Sequence, residues 1–343
     1  MAGKPRVSGQ VARKYCKRYA ALPSLQIARL LRQNEPKLFS SVESARTAVR
    51  YCRGAHGDAH RKANVNRVPR LELPQPAEQK WKRHELPAHI ARWLILADIH
   101  SPYFDRDALS AALAWGRAKP RCDGVLILGD LVDCYQLSSF ERDPRERSFS
   151  EELITTGQIL DVIQNELRPK SIVWKYGNHE YRHERFMFSR APELLNVRRV
   201  RPKGNIETAS DFELSSLFSF EEYLCTKERG IITVPNKHPI DHRALTILHG
   251  DEWQRGMSNS VNPARTAYLR GKECAIVAHS HVTSEHTEQS MRGVMVTCWS
   301  VGALCNLHPQ WAPINKWNHG VARLTTGSEW SIDNRRIMRG KVA

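Results

Sequence analysis

The apolar positions of the first fifty residues recur with a helical period. Between residues 11 and 21, Val11, Ala12, Tyr15, Cys16 and Tyr19 share one face. After Leu22-Pro23, Ser24 is placed to cap a second helix that gathers Ile27, Ala28, Leu30 and Leu31, and Asn34-Glu35-Pro36 ends it. Ser41 opens a third helix, with Ala45, Val49 and Tyr51–Cys52 turned inward and Gly54 as its stop. From residue 55 to about residue 87 the pattern dissolves into prolines and charges, the composition of a linker. From Ala91 the pattern changes to short continuous apolar runs separated by helical stretches. Arg92–Ala97, Gly124–Leu128 and Ser171–Lys175 read as buried strands. Asp105–Ala118 and Ser150–Leu167 read as the helices between them. Strand, helix, strand, helix, strand predicts parallel strands joined by right-handed crossovers. Further strand candidates are Ala244–Leu248, Cys274–Ala278, Val294–Thr297 and Val321–Leu324. The predicted organisation is a helical module over 1–56, a linker over 57–90, and an α/β domain over 91–335.

Charge divides the chain at the same place. The net charge is +16, and residues 1–92 hold 20 Lys and Arg against 6 Asp and Glu. The remaining 251 residues are close to balance, at 32 against 30. A basic excess confined to one small helical module points to a polyanionic partner. A merely solvated basic face is the plainer alternative. Arg46, Arg50 and Arg53 follow at spacings of four and three, so they share a side of the third helix. Three helices with a basic last one are similar to a helix-turn-helix module. A helical cap packed on the main domain is the competing reading. No run reaches the roughly 18 apolar residues of a membrane helix, and the N-terminus lacks the apolar core of a secretory signal. The eight cysteines show no CxxC spacing and read as reduced thiols of a cytoplasmic protein.

The strand ends carry the candidate chemistry. In open α/β sheets ligands bind beyond the carboxyl ends of the strands. Here five successive strand candidates are followed by Asp98-Ile99-His100, Gly129-Asp130-Leu131-Val132-Asp133, Gly177-Asn178-His179-Glu180, His249-Gly250 and His279-Ser280-His281. One such residue is ordinarily a helix cap or a satisfied turn. Five blocks converging on one sheet edge crowd carboxylates and imidazoles that need a cation to organise them. Mixed nitrogen and oxygen donors suit Mn²⁺, Fe, Zn²⁺ or Ni²⁺ better than Ca²⁺.

These five blocks, in this order and each behind a strand, resemble the calcineurin-like metallophosphoesterases over residues 92 to 330. The resemblance implies a four-layer α/β/β/α sandwich carrying a small all-α N-terminal module. It implies two divalent metal ions, Mn²⁺ first, with Fe, Zn²⁺, Ni²⁺ or Mg²⁺ as the others. Asp98, His100 and His281 are similar to the ligands of one metal, and Asn178, His249 and His279 to those of the second. Asp130 resembles the bridging carboxylate. His179 resembles the histidine beside the scissile phosphate, and Asp133 the carboxylate that orients it. The implied chemistry is hydrolysis by a metal-bridged water attacking phosphorus, with His179 protonating the leaving oxygen.

The substrate depends on what surrounds this core. An insert over 182–236 carries Arg182, His183, Arg185 and Arg190, then Arg198, Arg199, Arg201 and Lys203, and a helical stretch over 212–226. Asp251, Glu252, Trp253 and Arg255 follow His249-Gly250 to the mouth of the site, and Trp299, His308, Trp311 and Trp317 form a later aromatic segment. A basic rim with aromatic residues suits nucleic acid. The expected function is a phosphodiesterase or nuclease acting on DNA, with Arg182, Arg46, Arg50 and Arg53 as candidate contacts to it. The alternatives are a phosphomonoesterase that uses the helices as a cap or docking piece, and a DNA-binding regulator.

Overall fold

The computed structural model describes residues 7–54, 75–77, 81–139, 143, 145, 148–197, 217–253, 260–327 and 329–343. The chain divides into two compact units, residues 1–79 and 80–343.

The first unit holds helices α1 (Val7–Arg18), α2 (Ser24–Asn34) and α3 (Val42–Arg53). Their apolar stripes meet in a small core of Ala12, Ile27, Ala28, Leu31, Phe39, Ala45 and Val49. Ser41 caps α3 by accepting from the Ser44 N–H. Two local expectations are corrected. Ser24 is not a cap: Pro23 precedes the helix, with its carbonyl accepting from Gln26 and Ile27, and Ser24 is the first helical residue. Tyr51 faces outward and is 55% exposed, because the inward stripe of α3 runs through Ala45 and Val49.

The second unit is a sandwich of two sheets. Among the described residues, one sheet runs in the order β13-β12-β11-β2-β3-β4-β5. Its strands are β2 (Arg92–Leu96), β3 (Gly124–Leu128), β4 (Ser171–Lys175), β5 (Ile231–Val234), β11 (Gly320–Thr325), β12 (Ser331–Met338) and β13 (Lys341–Val342). β2, β3, β4 and β5 are parallel, joined in part by α4 (Arg106–Arg117) and α5 (Phe149–Leu167). The other sheet runs β1-β6-β7-β8-β10-β9, with β1 (His84–Glu85), β6 (Ile240–His242), β7 (Leu245–Ile247), β8 (Cys274–Val277), β9 (Ser284–Gln289) and β10 (Met295–Ser300). The inner faces meet through Trp93, Ile95, Leu126 and Val173 of one sheet and Ile240, Leu245, Ile247 and Ile276 of the other. α4 and α5 cover the outer face of the first sheet with Leu109, Leu113, Ile159 and Ile163. A further helix, α8 (Pro263–Gly271), lays Ala264 and Ala267 on the outer face of the second. Helix, sheet, sheet, helix is the four-layer order that the family resemblance implies.

The unit begins before Ala91. β1 pairs with β6, and Leu86 and Ile90 enter the inter-sheet core, so the linker-like composition of 81–90 hides a folded segment. The ends of the 182–236 insert are also structural. Arg182–Arg190 continues helix α6 (Asn178–Arg190), and Ile231–Val234 is an edge strand. Residues 198–216, with Arg198, Arg199, Arg201 and Lys203, lie outside the described residues. Of the expected helix over 212–226, the described part forms one short helix, α7 (Phe220–Tyr223).

Candidate active site

The loops after β2, β3, β4, β7 and β8 open at one edge of the sandwich, and they are laced together by backbone bonds. The Asp98 and His100 amides donate to the Gly129 and Asp130 carbonyls at 3.3 and 2.9 Å, and the His279 amide donates to Asp98 Oδ2 at 3.1 Å. Asp98, His100, Asp130, His279 and His281 all hold the left-handed backbone region, with φ between 49° and 65°. Non-glycine residues adopt it at a cost of roughly 1 kcal/mol or more each. Strain of this kind, repeated at five polar residues of one edge, marks a site the fold has built for a purpose other than stability.

Two clusters result. In the first, His281 Nε2 lies 3.5 Å from Asp98 Oδ1 and 3.2 Å from His100 Nε2. In the second, His249 Nε2 lies 3.2 Å from both Asp130 Oδ2 and Asn178 Oδ1, and His279 brings a nitrogen to the same group. Asp130 Oδ2 also lies 3.8 Å from His100 and from His179, so it stands between the clusters as a bridging carboxylate must. Asp98 and His249 are fully buried, and Asp130 nearly so.

The electrostatics are those of a cation site. Burial would raise the Asp130 carboxyl, but His249, His179 and His100 outweigh it and hold it well below the ordinary range. Burial would lower His281, yet Cys305 and Asp98 drive it up to about 10. His249 is likewise raised well above its ordinary value by Asp130 against burial. The carboxylates therefore favour positive charge at His249 and His281, while burial, followed by the neighbouring His179 and His249, lowers His100 and His279, the latter to about 4. One acceptor is left over: Asp98 Oδ1 is buried and receives no hydrogen bond. An orphaned carboxylate oxygen among imidazole nitrogens fits a divalent cation with mixed nitrogen and oxygen ligands. Asp98, His100, Asp130 and His281 would hold one ion, and Asp130, Asn178, His249 and His279 the other.

His179 and Asp133 complete the edge. The Asp133 carboxylate lies 2.9 Å from His100 Nδ1 and 3.2 Å from His179 Nδ1, so it serves a metal-ligand candidate as well as the histidine it was expected to orient. The shorter contact of His179 is to the Asp133 backbone oxygen, 2.7 Å from Nδ1. Arg182 donates to that same oxygen and to His179 Nε2, each at 2.9 Å. Of the residues proposed to contact substrate, Arg182 belongs to this unit and lies at the site, and Arg46, Arg50 and Arg53 belong to the N-terminal unit. Arg46 and Arg50 pair with Glu43 on α3. Arg53 donates to the carbonyls of Tyr19, Ala20 and Leu22, which commits its guanidinium to the end of α1.

Several residues have supporting roles that the sequence reading did not assign, although Glu180 stood in the third strand-end block and Glu252 was placed at the mouth of the site. Glu180 accepts from the Asp130, Leu131, Val132 and Gly177 amides at 2.7 to 3.1 Å and so locks the two central loops together. Its position three residues after Gly177, at a helix start, was the available signal. Glu252 accepts from the His249 and Gly250 amides and pairs with buried Lys175 at 3.0 Å. A lysine ending the buried strand Ser171–Lys175, straight after Ile172-Val173-Trp174, was the sign of that pair. Cys305 places its sulfur 3.9 Å from His281 Nδ1.

The profile of the calcineurin-like phosphoesterases matches residues 91–300, more than half of the sequence and all of the strand-end blocks. The chain belongs to this family. It is a metal-dependent phosphoester hydrolase by that membership, and the groupings His100–His281–Cys305, His100–Asp130–His179 and Asp130–His249–His279 are candidate metal sites within it. Among solved structures, a single mutant of Vps29 from Entamoeba histolytica is similar at 11% identity and a TM-score of 0.35, covering 74% of this chain and 96% of that one. No curated protein matches the chain. Among the described residues, no helix is long and apolar enough to cross a membrane. All eight cysteines are free.

Proposed function

We propose that this phosphoesterase is a phosphodiesterase acting on nucleic acid, with DNA as its substrate and Mn²⁺ as its metal. The observation that carries the reading is the distribution of charge. Residues 7–54 hold ten Lys and Arg against Glu35 and Glu43 alone. Lys14, Lys17, Arg18, Arg29, Lys37 and Arg50 are exposed on a module that has its own core. Such a module suits a substrate that offers a row of phosphates.

Divalent cations bound at the two clusters supply charge neutralisation at the phosphate and activation of water. The chain does the rest. Asp130 and Asp98 provide the negative charge that holds the cations, and the histidines around them supply neutral nitrogens. His179, held through Nδ1 by the Asp133 backbone oxygen, stands with Nε2 3.8 Å from Asp130 Oδ2, and once a substrate phosphate draws the Arg182 guanidinium off that nitrogen, a protonated Nε2 gives its proton to the leaving oxygen. Arg182, beside that nitrogen, offers its guanidinium to a phosphate oxygen.

The test is hydrolysis with Mn²⁺ of end-labelled single- and double-stranded DNA beside p-nitrophenyl phosphate and its bis ester, with Asp130→Ala as the blank. Cleavage of DNA and the bis ester, absent from the blank, is expected. Turnover of the monoester alone would overturn the nuclease reading and make this a phosphatase. Activity retained in Asp130→Ala would overturn the assigned site.

A further inference from the structure

The aromatic segment after β10 divides sharply in the structure. Trp299 is buried and packs against Trp330. Trp311 and Trp317 do something else. The Trp317 ring lies 4.2 Å, centroid to centroid, from the ring of His281, a metal-ligand candidate. The Trp311 ring lies 5.3 Å from that of Trp317, at 65°. Trp317 is half-buried, Trp311 is 70% exposed, and Ile314 beside them is 95% exposed. A path of ring contacts thus runs from the metal cluster out to water.

Large rings left in water are costly, and tryptophan is on average well buried. These lie on a segment that is tied down. Asn315 donates to the Leu307 and Ala312 carbonyls at 2.6 and 2.8 Å, and its own Oδ1 accepts from the Trp317 amide. The Asn318 amide donates to the His281 carbonyl at 2.9 Å, and its Oδ1 accepts from the Thr283 amide. The rings are therefore presented in a fixed place beside the ligands, with little ordering cost left for an incoming partner.

We infer that Trp311 and Trp317 form a stacking platform for an unpaired nucleobase next to the scissile phosphate. The inference rests on the nucleic-acid reading of the site and adds to it a preference for single-stranded or frayed substrate. The occupant follows from where the platform stands. A phosphate seated at the clusters carries its neighbouring sugar and base within reach of Trp317, whose ring lies against His281, and of Trp311 beyond it. Every nucleobase has an apolar face to cover such a ring, whatever its sequence. A base within a duplex already has both faces stacked, so only an unpaired one can use the platform.

The experiment uses the full chain with Mn²⁺ and a series of end-labelled oligonucleotides, each with one abasic site placed at a different distance from the cleaved linkage. In the wild type, an abasic site at one position lowers kcat/KM by about 5- to 100-fold, the range that base–aromatic stacking provides. In Trp311→Ala the penalty at that position disappears, because the intact substrate becomes as slow as the abasic one. Trp311→Phe restores much of it. A wild type indifferent to abasic sites at every position, or Trp311→Ala that keeps the full penalty, would overturn the platform. Should the wild type cut no oligonucleotide and yet hydrolyse p-nitrophenyl phosphate, the nucleic-acid reading fails separately. Thymidine 5′-phosphate against deoxyribose 5-phosphate then decides the platform alone. A preference for the nucleotide that Trp311→Ala abolishes keeps it, and equal rates end it.

Discussion

At the scale of single residues, the site is made as much by what is missing as by what is present. A Cβ on Gly177 would stand 2.2 Å from Asp130 Oδ1 and 2.8 Å from His249 Nε2, and one on Gly129 would meet His249 Nδ1 at 2.1 Å. Neither neighbour can retreat, since Asp130 and His249 are buried and fixed by their own partners. Gly177→Ala is therefore expected to displace the Asp130 carboxylate. Mn²⁺ affinity, read by calorimetry, should fall by about 10-fold or more, the scale on which displaced metal-site partners act. Affinity equal to the wild type's would show that the clusters tolerate the shift. The ligand candidates themselves were legible in the sequence, because Asp, His and Asn at five strand ends, each unremarkable alone, stand out together. Glu180 and Glu252 were not, although each accepts from amides of the ligand loops. Their work is bonding to backbone groups, and a sequence does not show where those amides will point. The left-handed backbone at Asp98 and His281 is hidden for the same reason.

At the scale of elements, apolar runs were read well and polar ones were missed. β2, β3 and β4 lie within one residue of their expected bounds, since both faces of each are buried. β9 reads Ser-Glu-His-Thr-Glu-Gln, and β12 buries only Ile337 among its eight residues, so neither announces itself by hydrophobicity. Their place comes from pairing with β10 and β11. Two elements carry predictions. α5 holds Glu152 fully buried, with Oε1 accepting from the Tyr135 amide and Oε2 without a hydrogen bond. Burial first, and Asp133 second, push its carboxyl up to about 8. A raised carboxyl favours folding in its protonated form. Its contribution is complete below the unfolded value and is lost as pH rises through the folded one, at about 1.4 kcal/mol per unit in between. Glu152→Gln should remove that loss. Urea unfolding in chelator, from about pH 5 to about pH 8, should show stability falling more steeply in the wild type than in the variant, and parallel curves would sink the assignment. In the N-terminal unit, Arg53 ties the end of α1 to α3 through three carbonyls. Arg53→Ala should destabilise that unit by about 1–3 kcal/mol, seen as a lower midpoint for the unfolding of the helical module. An unchanged midpoint would release Arg53 for a role in binding.

At the scale of the whole molecule, the two units carry opposite kinds of charge problem. The catalytic unit is nearly balanced and buries Asp98 and Asp130 at its candidate metal site. The helical unit keeps a large positive excess on its surface, and self-repulsion makes such an excess a liability unless a polyanion meets it. The N-terminal basic residues are thus separable from catalysis by the form of their effect. Neutralising phosphates releases counterions, so the logarithm of affinity falls linearly with the logarithm of salt, with a slope near 0.9 per duplex phosphate neutralised. Lys14, Lys17 and Arg18 are exposed along one end of α1. Replacing all three by glutamine in the full chain should weaken DNA binding at low salt. The slope should fall by up to about 0.9 for each phosphate no longer neutralised, so by roughly 2 to 3 in all. Binding is measured by fluorescence anisotropy at several salt concentrations, in chelator so that no DNA is cut. A slope that falls while affinity converges on the wild type's at high salt is the signature of phosphate binding. A weaker affinity with an unchanged slope would place the defect in folding of the module, and neither change would make its surface an ordinary solvated one.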